Sequence, residues 1–200
     1  MRLSKLISII LHPIFMPILA LYLSLRQVPS IGVAITNYQN YIYLVLIFST
    51  VVLPLISIFF LIKSGKVSSL EMSNHKERSV PLFRTALWMG LGYYTIENIL
   101  VFSPIIKAEL IGAISIILIA SIISKYWKIS LHLLGIGGLV GVLIALEIIY
   151  GNLQHLIIIF ILLSGVLAMA RIKEKAHNYL QVYIGFLGGL SVELLIMLIF

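Results

Sequence analysis

Apolar residues run almost unbroken through seven stretches, at about residues 6–25, 41–62, 82–102, 109–124, 133–150, 153–169 and 179–200, and polar residues gather in the gaps between them. A run of about 20 apolar residues spans a hydrocarbon core as a helix. Barrel strands would alternate polar and apolar positions, and these runs do not. A helix also satisfies its own backbone in lipid. The pattern therefore predicts an all-α, polytopic membrane helical bundle of about seven (six to seven) transmembrane helices, forming one domain over residues 1–200. Pro13 and Pro17 in the first run and Pro54 in the second predict kinks. Gly135, Gly137, Gly138 and Gly141 open the fifth run, and Gly185, Gly188 and Gly189 lie early in the seventh. Both sets predict close helix contact. Arg2 and Lys5 before the first run resemble a signal-peptide start, but the prolines and the lack of a small-residue cleavage pattern argue for a retained span.

Composition sharpens the class. Hydrophobic residues make up 61% of the chain and charged ones 10%, against about 45–50% and about 25% in ordinary globular domains. Cys is absent, which removes disulfide and thiolate chemistry. Asp is absent too, so all seven acidic residues are Glu and a carboxylate-rich metal site is not expected. No metal or cofactor is expected. The net charge of +7 sits in short loops beside the spans, which points to membrane lipids and phosphorylated lipids as partners rather than to nucleic acid. With seven crossings, every Lys and Arg except Arg26 and Lys107 falls on one side. The positive-inside rule places that side, with the N-terminus, in the cytoplasm.

Three loops on the basic side share a vocabulary. The first holds His75, Lys76, Glu77, Arg78, Ser79 and Pro81. The second reads Lys128-Ile129-Ser130-Leu131-His132 and runs straight into the Gly-rich helix start. The third holds Arg171, His177 and Gln181. His177 and Gln181 are four residues apart, so on a helix they share a face. Converging cations, a hydroxyl and a helix N-terminus make an oxyanion receptor, and two imidazoles beside it can act as nucleophile and general acid. The same cations also fit a plain basic loop at a membrane surface, with the histidines placed there for other reasons.

The order and spacing of these residues resemble the type 2 phosphatidic acid phosphatase superfamily of membrane lipid phosphatases. Its third motif is matched by Arg171, five residues, His177, three residues, Gln181-Val182, then Gly185 and Gly189; its second by Ser130-Leu131-His132; its first only by Lys76, Arg78 and Pro81, at altered spacing. The matching part covers about residues 63–200. The resemblance implies that His177 attacks phosphorus to form a phosphohistidine, that His132 protonates the leaving group and then assists water, and that Arg171, Arg78, Lys76, Lys128 and Ser130 hold the phosphoryl oxygens, without a metal. The implied substrate is a lipid phosphate. The family's orienting Asp is Gln181 here, its motif glycine is Leu131, and its Ser before Arg is Ala170. Glu174 or Glu77 would have to supply the missing negative charge. These departures keep two other readings open: a non-catalytic phospholipid binder or carrier on the same scaffold, and a purely structural membrane subunit.

The remaining ionisable residues have simpler expectations. His75 reads as a solvated loop residue, and His12 and His155 as interfacial or helix–helix contacts. Glu97, Glu147 and Glu193 each follow Pro81, His132 or His177 by 15 or 16 residues, about 22–24 Å along a helix. That spacing predicts an acidic ring near the far interface, or else a proton or cation path opposite the basic loops.

Overall fold

The structure is a computed structural model that describes residues 3–70, 72, 74–101 and 103–200. Arg2 and Glu71 of the charge distribution and Phe102 at the end of the third run lie outside the described residues. Ten α-helices follow in chain order: α1 (Leu3–Ile10), α2 (Met16–Gln27), α3 (Pro29–Ala34), α4 (Gln39–Ile47), α5 (Leu53–Lys63), α6 (Ser79–Leu100), α7 (Pro104–Ile123), α8 (Leu131–Tyr150), α9 (Gln154–Lys173) and α10 (Tyr179–Ile199). No strand occurs among the described residues. Six segments are long and apolar enough to cross a membrane, and the protein is an all-α polytopic membrane bundle. The sixth helix is 22 residues long but carries Arg84, Glu97 and several Tyr, Thr and Gly residues, and it is not among those six.

The prolines act where their chemistry requires. The first span, Leu3–Gln27, breaks at Leu11-His12, and Pro13 opens a short 3-10 turn, Pro13–Phe15, before α2. His12 caps that turn, its Nδ1 accepting from the Ile14 N–H at 3.3 Å. The second span, Thr36–Lys63, contains a π-helical turn at Phe48–Val52, just ahead of Pro54. Proline removes one backbone donor and crowds the preceding turn, so the ladder slips there. Thr50 supplies a local substitute, donating its hydroxyl to the Leu46 carbonyl at 2.7 Å.

The centre of the bundle is α8, buried along most of its length and packed most extensively against α10. Glycines set that approach. A Cβ on Gly189 would strike the Leu134 carbonyl oxygen, one on Gly137 the Phe186 carbonyl oxygen, and one on Gly185 would lie 2.8 Å from the Ser130 carbonyl oxygen. The close contact expected from the two glycine sets is thus present. Between α8 and α10, backbone meets backbone, as small residues permit in lipid-embedded helices.

Candidate functional site

A cavity of about 910 Å³ opens within the bundle. Its lining includes His12 and Ser8 from the first span, Arg78 ahead of α6, Lys128 and His132 around the start of α8, and Arg171 and His177 around the α9–α10 turn. Segments far apart in sequence, from Ser8 to His177, therefore converge on one space.

The α9–α10 turn is built around a capping box. Asn178 precedes α10, its side chain accepts from the Gln181 N–H at 2.9 Å, and Gln181 Oε1 accepts from the Asn178 N–H at 3.3 Å. The same Gln181 oxygen lies 2.9 Å from His177 Nδ1. A backbone N–H can only donate, so its bond to Gln181 fixes the amide with oxygen, not NH₂, towards the imidazole. His177 therefore carries its proton on Nδ1 and keeps its lone pair on Nε2. The ring is 7% exposed and lines the cavity. Burial, then the positive fields of Arg78, Arg171 and Lys128, push its pKa down to about 4, against the Gln181 hydrogen bond, which favours protonation. A neutral His with a free Nε2 is the form that attacks an electrophile.

Cations surround it. Arg171 donates to Glu174 at 2.9 Å, a local ion pair at the end of α9, and to Ser8 Oγ at 3.2 Å, a hydrogen bond that ties α9 to α1. Arg78 is buried; its Nε donates to the Met72 carbonyl at 2.8 Å and its Nη1 to the Ile129 carbonyl at 3.5 Å, so it links the first loop to the second. Lys128 is half-buried, and its pKa is lowered by desolvation and by Arg78 and Arg171. Arg78, Lys128 and Arg171 all line the cavity, and three cations on one wall give it a positive potential that suits an oxyanion.

His132 sits in the first turn of α8, and its Nε2 is 3.0 Å from the Ser8 carbonyl. A carbonyl only accepts, so His132 carries its proton on Nε2 and exchanges protons through Nδ1. Its ring packs edge-on against His12, with centroids 5.2 Å apart.

Two expected site residues lie elsewhere. Lys76 is exposed and does not line the cavity. It sits two residues from Arg78 in the 3-10 turn His75–Arg78, and positions two apart on a helical turn do not face the same way. Ser130 is fully buried and does not line the cavity either; its N–H reaches the Gln181 carbonyl at 3.3 Å, and it packs against Gly185. Ser130 thus joins α8 to α10, and its Oγ has no hydrogen-bond partner among the described residues.

Other expectations also need revision. Glu174 does not approach Gln181 but holds Arg171, and Glu77 turns away to Ser68, accepting from its N–H at 2.9 Å and its hydroxyl at 2.7 Å. Neither supplies the charge that Gln181 lacks. His75 is not a solvated residue: its Nδ1 docks on the Ser124 carbonyl at 2.8 Å. Glu193 is not in an interfacial ring; it is 2% exposed and lines the inner part of the cavity. Glu147 does sit at a helix end, accepting from the Leu153 N–H at 2.6 Å. Ser8 and His12 were missed as site residues, and only the helix-breaking His12-Pro13 step signalled that this part of the first span turns inward.

No family model, no curated protein and no solved structure matches this chain.

Proposed function

We propose that the protein is a membrane lipid phosphatase or phosphotransferase that cleaves a phosphomonoester or diphosphate on a lipid through a phosphohistidine, in the manner of the type 2 phosphatidic acid phosphatases. The observation that carries this reading is the His177–Gln181 bond at 2.9 Å, which leaves Nε2 as a nucleophile in a cavity lined by Arg171, Arg78 and Lys128. The three cations take up the phosphoryl oxygens and the first turn of α8 adds free N–H groups. His177 Nε2 forms a bond to phosphorus while the bond to the leaving oxygen breaks. As the substrate binds, His132 Nδ1 takes up the acidic proton of the phosphate group, and it then gives that proton to the leaving oxygen. Water then attacks phosphorus, His132 Nδ1 accepts its proton, and His177 is released. The apolar remainder of the cavity receives part of the lipid chain. The charge asymmetry supports a cytoplasmic position for the basic loops.

A second reading, a phospholipid binder or carrier without turnover, is favoured by one feature: Gln181 brings no negative charge to stabilise the imidazolium formed as His177 changes state. The purified chain incubated with a panel of lipid phosphates distinguishes the two. The enzyme reading expects phosphate release, lost in His177→Ala and His132→Ala, and a phosphohistidine trapped on rapid quenching. Binding without release supports the carrier reading, and full turnover in His177→Ala removes the enzyme reading.

A further inference from the structure

The cavity has an opposite pole. Its inner wall carries two carboxyl groups, Glu109 of α7 and Glu193 of α10, each 2% exposed. Glu109 lies five residues into α7 and Glu193 six residues before the end of α10. At 1.5 Å per residue both sit about 8–9 Å from the helix ends that face away from the basic loops. They share one neighbourhood. The space where a Cβ of Gly112 would sit is taken by the Glu193 carboxyl group, and Gly112 follows Glu109 by three residues, on the same face of α7. On the α8 side Glu193 meets Gly138 and Gly141, which offer no polar side chain. Glu109 Oε2 accepts from the Ser24 hydroxyl at 2.8 Å, while Glu109 Oε1 and Glu193 Oε1 have no hydrogen-bond partner among the described residues. Neither carboxyl has a cation within ion-pair distance among the described residues. Among the described residues Glu109 acts electrostatically on Tyr43 of α4, as do Tyr22 and Arg26 of α2.

An unpaired carboxylate deep in a membrane bundle costs several kcal/mol unless a cation or proton compensates it. Metal cations fit poorly. Two carboxyls and one hydroxyl fall short of the six to eight oxygens a calcium site gathers, no group of three or more metal-binding side chains occurs among the described residues, and the cationic mouth opposes their approach. Protons have no such difficulty, because a cavity of about 910 Å³ has room for a chain of waters.

We propose that Glu109 and Glu193 form a proton-binding carboxyl pair at the inner end of the cavity, the acidic counterpart of the cationic mouth. The pair takes protons from water in the cavity, and its two carboxyls titrate as one coupled unit. This assignment stands whether or not the mouth hydrolyses its ligand.

Infrared difference spectra of the full purified chain, recorded across a pH titration in H₂O and D₂O, test it. The wild type is expected to show protonated-carboxyl carbonyl bands that shift in D₂O and disappear in two steps as pH rises. Glu109→Gln and Glu193→Gln each reduce this to a single step, and the double variant abolishes it. Ser24→Ala, which removes a hydrogen bond to Glu109 and leaves both carboxyls in place, is expected to shift both steps of the titration, as a coupled pair requires. Bands unchanged in both Gln variants overturn the proposal. So does loss of the bands on adding sodium chloride at fixed pH, which would make the pair a metal-cation site.

Discussion

Gln181 Oε1 stands 2.9 Å from His177 Nδ1, and the same oxygen accepts the Asn178 N–H that begins α10. A helix cap and the orientation of a nucleophile are thus one hydrogen-bonding unit. Gln181→Leu removes the acceptor without a large volume change. It is expected to lower phosphate release by up to about 10⁴, the scale seen when an imidazole loses its orienting partner in a triad, with little effect on KM. Gln181→Asp keeps an acceptor and adds the missing charge, so phosphate release is expected to rise above wild type. Initial rates on one lipid phosphate check both.

The depressed pKa of His177 links folding to pH. Burial first, and then the neighbouring cations, push the His177 ring down to about 4 in the folded protein, against about 6.5 for an ordinary imidazole. The unfolded chain therefore binds more protons between these values. The stabilisation is fully present above about pH 6.5 and is lost as pH falls towards 4. At 1.36 kcal/mol per unit the effect is at most about 3 kcal/mol, reduced where water reaches the cavity. Thermal unfolding in detergent is expected to show a fall in Tm over this window that is shallower in His177→Gln. A bound phosphate reverses the sign of the local field, so saturating inorganic phosphate should move the window to higher pH.

Much of this arrangement was legible in the chain, and the limits have physical causes. The continuous apolar runs dictated the helices because lipid leaves the backbone few alternatives. His177 and Gln181 do meet, but not along one helical turn: His177 precedes the N-cap Asn178, and Gln181 reaches back to it as part of the capping box. The spacing of Lys76 and Arg78 did not reveal that a 3-10 turn sends them apart. Ser130 looked like a phosphate ligand by neighbourhood, whereas the glycine-set contact at Gly185 draws it into the α8–α10 seam. His12 and Ser8 join from the first span, and tertiary packing alone decides such long-range partners. The inward turn of Glu193 depends on the space left by Gly112 and Gly138, on two other helices.

Arg171 is positioned by Glu174 and Ser8, so its role and its support are separable. Arg171→Ala is expected to raise KM for a lipid phosphate about ten- to hundred-fold, the scale of a charge-assisted hydrogen bond of roughly 1.5–3 kcal/mol. Arg171→Lys keeps the charge but loses the planar fork, and it should recover only part of that loss. Glu174→Gln leaves the Arg171–Ser8 bond in place and should have the smallest effect. Steady-state kinetics of the three variants test this order.

The α8–α10 seam sets the geometry of the site, because Ser130 at its mouth bonds the Gln181 carbonyl. Gly189 is its tightest point, where an added Cβ would overlap the Leu134 carbonyl oxygen. In an open helix, Gly to Ala stabilises by up to about 1 kcal/mol. At Gly189 the obstacle is backbone, which cannot swing aside, and overpacking of this kind costs typically about 1–3 kcal/mol. The cost exceeds the gain, so Gly189→Ala is expected to lower Tm in detergent and to reduce activity with it. Gly165 in α9 is the matched control, since a Cβ there meets nothing within 4 Å. Gly165→Ala should leave Tm unchanged or slightly raised. Equal losses from both substitutions would mean that helix propensity in lipid, rather than backbone contact at the seam, governs the stability of this bundle.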